Sequence, residues 1–155
     1  TLIKLGAVDS KTLSDKEIIH LAEKIRKSFK YAVKNIYPKQ YNSFNGNVTE
    51  LLNILHRECF ILLKPGTHVV DKFPGCAVGD IIETKADANY VEVAAASIIA
   101  RAEALNQLEE LSKRAGFKIP KGSTHVSEAL KELKKRNLQF EEFVKISFRN
   151  VKKLL

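Results

Sequence analysis

The sequence predicts an α/β fold, a small central sheet flanked by helices. Two short apolar runs, residues 67–71 and 80–84, lie between longer amphipathic stretches. That is the pattern of buried strands in a sheet covered by helices. The stretch 85–105, KADANYVEVAAASIIARAEAL, then opens a helix whose first turns carry Ala94, Ala95, Ala96, Ser97 and Ala100. Small side chains there let the helix lie close on a sheet or another helix. The acid Asp87 stands just ahead of it and is held at a defined place; as a favoured helix cap it also has a purely architectural reading.

Taken in order, Leu2, Ile3 and Leu5 suggest a helical turn ended by Gly6, and Asp9-Ser10-Lys11 follows in a loop. Ser14 with Glu17 three residues on is a capping box. The helix it opens has apolar residues at Ile18, Ile19, Leu21, Ala22, Ile25 and Phe29, the helical period, and ends near Lys30. Residues 31–37 alternate well enough for a strand, stopped by Pro38. Asn47 and Glu50 start a second helix carrying Leu51, Leu52, Ile54, Leu55, Cys59, Leu62 and Leu63, which Pro65-Gly66 ends. After the strands at 67–71 and 80–84 one long helix runs from about Ala88 to Ala115, with Gly116 just past its end. Thr124 is placed to cap a helix with Val126, Ala129, Leu130 and Leu133. A last helix holds Phe140, Phe143, Val144 and Phe148. Three strands are few for so much helical apolar surface, which points to sheet partners outside the sequence.

The 155 residues are read most simply as a single domain. Apolar residues make up 45%, enough for a core and too many for a disordered chain. No run of about 18 apolar residues is present to span a membrane. The start has no signal-peptide pattern, and Cys59 and Cys76 make neither a disulfide framework nor a zinc site, so a reducing, cytoplasmic home is expected. A net charge of +8 favours polyanions, chiefly nucleic acid. The sequence begins with Thr and has no methionine, so the expectation is a piece of a longer protein.

Two acids stand out by position. Asp71 ends one strand, and Asp87 lies between the next strand and the close-packed helix. Adjacent strands are about 5 Å apart, so their ends can bring two carboxylates together. Such a pair repels unless a cation joins it or one member takes a proton. A hard cation such as magnesium suits an all-oxygen set. With a basic surface, this suggests metal-dependent phosphodiester chemistry, for which cations about 4 Å apart are the usual arrangement. Ser10 and Lys11, and Lys121, Ser123 and Thr124 at another helix start, could contact phosphates. An Asx-type turn at Asp9-Ser10, a strand-end turn acid at Asp71 and a solvated basic loop at 121–124 remain the plainer alternatives. His20, His56, His68 and His125 show no metal spacing.

LGAVDSKTLSDKEIIHLAEKI, YNSFNGNVTELLNILH, VVDKF, KADANYVEVAAASIIAR, GFKIPKGS and FVKISFRNVKK, in this order, resemble the type 2 ribonucleases H, and within them ribonuclease HIII most. The resemblance covers nearly the whole chain. It implies a ribonuclease H-like sheet flanked by helices. The implied activity is hydrolysis of the RNA strand of RNA/DNA hybrids to 5′-phosphate and 3′-hydroxyl ends. Four carboxylates with Mg²⁺ or Mn²⁺ would carry it. Two of the four map onto Asp71 and Asp87, both catalytic and metal-binding. Ser10 and Lys11 of the DSK loop map onto contacts to the substrate backbone, and Lys121 and Ser123 stand beside them as candidate substrate-binding residues from their place at a helix start. The family's Asp-Glu pair, its glycine-basic-glycine loop and its opening hairpin belong before residue 1. The chain is accordingly expected to be an N-terminally incomplete catalytic domain spanning 1–155, monomeric, and inactive by itself. Ribonuclease HII, or a nucleic-acid-binding module without catalysis, are the alternatives.

Overall fold

In the computed structural model, which describes residues 1–7, 10–122 and 124–154, the chain divides into two compact units. The first comprises 1–34 and 46–104, the second 35–45 and 105–155.

The first unit opens with a turn closed by Gly6 and a 3₁₀ turn at Ser10–Thr12. Helix α1, Asp15–Ser28, starts at the expected capping box: Ser14 Oγ accepts from the Glu17 amide, and Glu17 reaches back to the Ser14 amide at 2.7 Å. Its apolar stripe places Ile18, Leu21, Ala22 and Ile25 in the interior. Arg26 pairs with Glu103 and Arg101 with Asp15, fastening α1 to the first part of the long helix α5, Val91–Ala115. Helix α3, Val48–Leu63, is capped reciprocally by Asn47 and Glu50, as the sequence indicates.

The sheet of this unit is a parallel pair, β1 (Val69–Asp71) beside β2 (Ile81–Glu83), each shorter than the apolar run that marks it. The register opposes Val69 to Ile81, Val70 to Ile82 and Asp71 to Glu83. Parallel strands are normally covered on both faces. Here Val70 is buried, yet Ile81 and Ile82, which point to opposite faces of β2, are exposed.

The connection between the strands is clamped by α3. Asn53 donates to the Gly75 carbonyl at 3.0 Å and accepts from the Ala77 amide at 2.9 Å, and Thr49 donates to the Pro74 carbonyl. Gly75, at φ +74°, leaves no room for a side chain: a Cβ would lie 2.5 Å from Thr49 Cγ2.

The long helix differs from expectation at its start. It begins as a separate turn, α4 (Ala86–Asn89), and continues after Tyr90 as α5 (Val91–Ala115). Tyr90 has extended backbone, φ −124° and ψ 110°, which breaks the run. Of the small residues expected to pack closely, Ala94 and Ala95 are buried, while Ala96 and Ala100 are exposed and Ser97 is half-buried; the buried face is completed instead by Ile98, Ile99 and Ala102.

The expected strand at 31–37 is absent. No partner strand pairs with it; Lys34 instead meets Glu58 in the first unit. In the second unit, Asn35 and the Ile36 carbonyl accept from Gln107 of α5. Helix α2, Pro38–Ser43, follows. Helix α6, Val126–Lys135, has His125 rather than Thr124 at its cap. Ala129, Leu130 and Leu133 are buried on it, and Leu130 and Leu133 meet Leu111, Ala115, Ile119, Phe143 and Val151 in a core of this unit. The single last helix expected over Phe140–Phe148 is replaced by a 3₁₀ turn at Phe140–Glu142 and α7 at Arg149–Lys152. The Asn42 amide explains the break: it donates to the Val144 carbonyl at 2.8 Å and accepts from the Ile146 N–H at 3.1 Å, capturing groups a helix would have used.

No helix among the described residues is long and apolar enough to cross a membrane. Ile98 is fully buried, and Ile98→Ala should lower the unfolding free energy by about 2–5 kcal/mol, read from urea denaturation.

Candidate active site

Asp71 is the last residue of β1, where the sheet ends and the chain turns away. Its Oδ1 accepts a hydrogen bond from the Ala86 amide at 3.2 Å. Lys85 occupies the cap position of α4 but supplies no side-chain bond. Asp71 therefore satisfies a helix-start amide that the local sequence leaves open. Lys85 has φ 58° and ψ 38°, the left-handed region that side chains seldom adopt. The turn it makes brings Ala86 back to the end of β1.

Asp87 is the next residue, in the first turn of α4. Asp87 is thus not the helix cap. Its carboxylate lies 3.5 Å from Lys11 Nζ; the lysine side chain is 76% exposed, the aspartate 17%. Of the sequence-derived site residues, Lys11 meets Asp87 directly, and Asp71 meets the backbone amide of Ala86, the residue before Asp87. Ser10 opens the 3₁₀ turn that carries Lys11. Lys121 lies in the second unit, and Ser123 falls outside the described residues.

Two further residues at this edge escape notice in the sequence. Glu83 ends β2 directly opposite Asp71, and its side chain accepts from Asn89 of α4. The β2 residue beside Asp71 could be known only from the register, so no local pattern reveals Glu83. Asn53, which fixes the loop leaving Asp71, is likewise invisible as one polar residue on an amphipathic helix.

The donor set suits a hard cation in kind, since Asp71 and Asp87 offer only carboxylate oxygens. Among the described residues, no group of three or more His, Cys, Asp or Glu side chains converges as a metal site. Two protein ligands with water and substrate oxygens completing the shell is a common magnesium arrangement.

The first unit also holds an aromatic cluster of residues from α3 and the two flanks of β1. His68 stacks on Phe60 at 4.8 Å between ring centres, His56 stacks on Phe73 at 5.5 Å, and the two histidines are 5.9 Å apart. Lys64 sits over Phe60, and Asp80 accepts from the His68 amide. Burial holds both imidazoles below the ordinary histidine value; His68 pushes His56 further down, while Asp80 draws His68 partly back up.

A family model described as Ribonuclease HII matches residues 66–151, more than half of the chain. The chain belongs to the ribonuclease HII family. The matched span includes β1, β2, α4 and α5 with both aspartates. Among curated relatives, Ribonuclease HIII of Bacillus subtilis is 33% identical over 97% of this chain and 56% of its own length. Ribonuclease HIII of Limosilactobacillus fermentum is 30% identical over 99% and 58%. Both agree with the motif resemblance. The crystal structure of Bst-RNase HIII in complex with Mn²⁺ is 28% identical and superposes with a TM-score of 0.86, covering 99% of this chain and 58% of that one. The chain thus has a ribonuclease H-like fold and spans somewhat more than half the length of these family members.

The histidine cluster makes stability depend on pH. An unfolded chain protonates its histidines near pH 6.5, the folded pair only at lower pH. Between those values the unfolded state binds more protons, so stability should be full above about pH 6.5 and fall as the solution is acidified. Urea unfolding between pH 8 and pH 5 checks this, and replacing both histidines with phenylalanine should flatten the profile.

Proposed function

We propose that the full protein is an endoribonuclease cutting the RNA strand of RNA/DNA hybrids, and that this chain contributes Asp71 and Asp87 to its catalytic centre. The observation that carries the proposal is the Asp71–Ala86 hydrogen bond, which sets the strand-end acid beside the residue preceding Asp87, in a chain of this family. The printed name of the relatives, Ribonuclease HIII, supports the ribonuclease class.

In this reading Asp71 and Asp87 would hold Mg²⁺ or Mn²⁺ through carboxylate oxygens. Such a cation, when bound, supplies Lewis-acid stabilisation of charge at the scissile phosphate. The remaining work belongs to the chain. Asp71 keeps its place because one oxygen is fixed by the Ala86 amide, leaving its other lone pairs for a ligand. Lys11, paired with Asp87 and mostly exposed, is placed to attract the hybrid's phosphate backbone toward the acids. Ser10, Lys121 and Ser123 are proposed as further backbone contacts. The products proposed are a 5′-phosphate and a 3′-hydroxyl. Both units are taken as parts of one catalytic domain.

In the full-length protein, Asp71→Asn and Asp87→Asn should each cut turnover on a hybrid by at least about 100-fold while circular dichroism stays native. Near-normal turnover in either would sink the assignment. Lys11→Ala should weaken hybrid binding and reduce the slope of affinity against salt by about one contact. The isolated 155-residue chain should not cleave hybrid with Mg²⁺, since no third ligand joins the two acids among the described residues; robust cleavage lost on Asp71→Asn would overturn that expectation.

A further inference from the structure

We infer that Glu83 and Asn89 are positioning residues for Asp87, holding the one-turn helix that carries it; the catalytic part of this inference rests on the function proposed above. Helix α4 has only four residues. A single helical turn does not sustain itself, because its first hydrogen bond must fix several residues at once. Neither flank extends it: Lys85 before it is left-handed and Tyr90 after it is extended. The turn's own bond runs from the Tyr90 amide to the Ala86 carbonyl at 2.8 Å. The rest of its order comes from outside.

Three outside anchors are present besides the exposed Lys11–Asp87 ion pair. The Ala86 side chain is fully buried, and the Ala86 amide donates to Asp71. Both act at the start of the turn. The third acts at its other end, where Asn89 Nδ2 donates to Glu83 Oε1. Glu83 is well fixed to serve as that anchor. It pairs in register with Asp71, and its carbonyl accepts from the Lys72 amide at 2.9 Å. The Asn89–Glu83 bond therefore ties α4 to the strand beside the one that carries Asp71. Without it, the turn is held at Ala86 and by the exposed ion pair of Asp87 with Lys11, both at its start, so its far end can pivot and Asp87 swings relative to Asp71. The bond uses Glu83 as an acceptor, not as a charge, so glutamine can replace it and alanine cannot.

The test uses the full-length protein with Glu83→Ala, Asn89→Ala and Glu83→Gln. Amide hydrogen exchange at Tyr90, measured without metal or hybrid, should quicken several-fold in both alanine variants and stay unchanged in Glu83→Gln. In hybrid cleavage, both alanine variants should raise the half-saturating Mg²⁺ concentration about tenfold with KM for hybrid unchanged, and Glu83→Gln should behave like the parent. Unchanged exchange at Tyr90 in Asn89→Ala overturns the inference. So does Glu83→Gln as damaging as Glu83→Ala, which would make the charge of Glu83 the active quantity. Should Asp87→Asn keep full turnover while the exchange pattern is as expected, the tether stands and the nuclease assignment of Asp87 falls.

Discussion

Leaving β2, the chain must reverse within a few residues and start a helix over the end of β1, and the amide exposed by that reversal is met by the carboxylate of Asp71. The hydrogen bond from Ala86 to Asp71 couples three otherwise separate features: the parallel pairing of β1 with β2, the left-handed turn at Lys85 and the placement of Asp87. A carboxylate accepting from a backbone amide is a charge-assisted bond, stronger than a neutral one. It also answers the plainer reading of Asp71 as a strand-end turn acid. The residue does perform a turn-making task, and that task sets it against the residue that precedes Asp87.

The charges around this edge are arranged to tolerate two neighbouring carboxylates. Lys11 lies against Asp87, and Asp71 is offset by a backbone dipole. Glu83, a third acid at the same sheet end, is engaged with the amide side chain of Asn89. Each anion thus has its own donor. The aromatic cluster, with its two histidines between phenylalanine rings, joins α3 to the residues on either side of β1. Asn53 closes the same loop from α3. The acids therefore stand on elements cross-braced from several directions, as a site needing sub-ångström placement requires.

Much of this is legible in the sequence, because the signals are local and periodic. The capping boxes at Ser14 and Asn47, the buried stripe of α1, and the end of α5 before Gly116 all follow from short-range chemistry. Asp71 and Asp87 could be singled out because a strand end and a small-residue helix start are both visible in the pattern. Other features were decided by distant partners. Residues 31–37 alternate like a strand but find no ladder, and the C-terminal aromatics keep helical spacing while Asn42, about a hundred positions earlier, takes their backbone groups. The break at Tyr90 and the place of Glu83 depend on register, which no window of a few residues contains.

Ile81 and Ile82 leave both faces of β2 apolar and open to water. A short aliphatic strand of this kind, paired with β1 along one edge, offers the amides and carbonyls of its other edge to any extended chain that meets it. Its cost is colloidal more than thermal. Handled by itself at high concentration, the 155-residue polypeptide is disposed to self-associate along this strand, and a single lysine at either position would blunt that tendency while leaving Asp71 on β1 and Asp87 on α4 untouched.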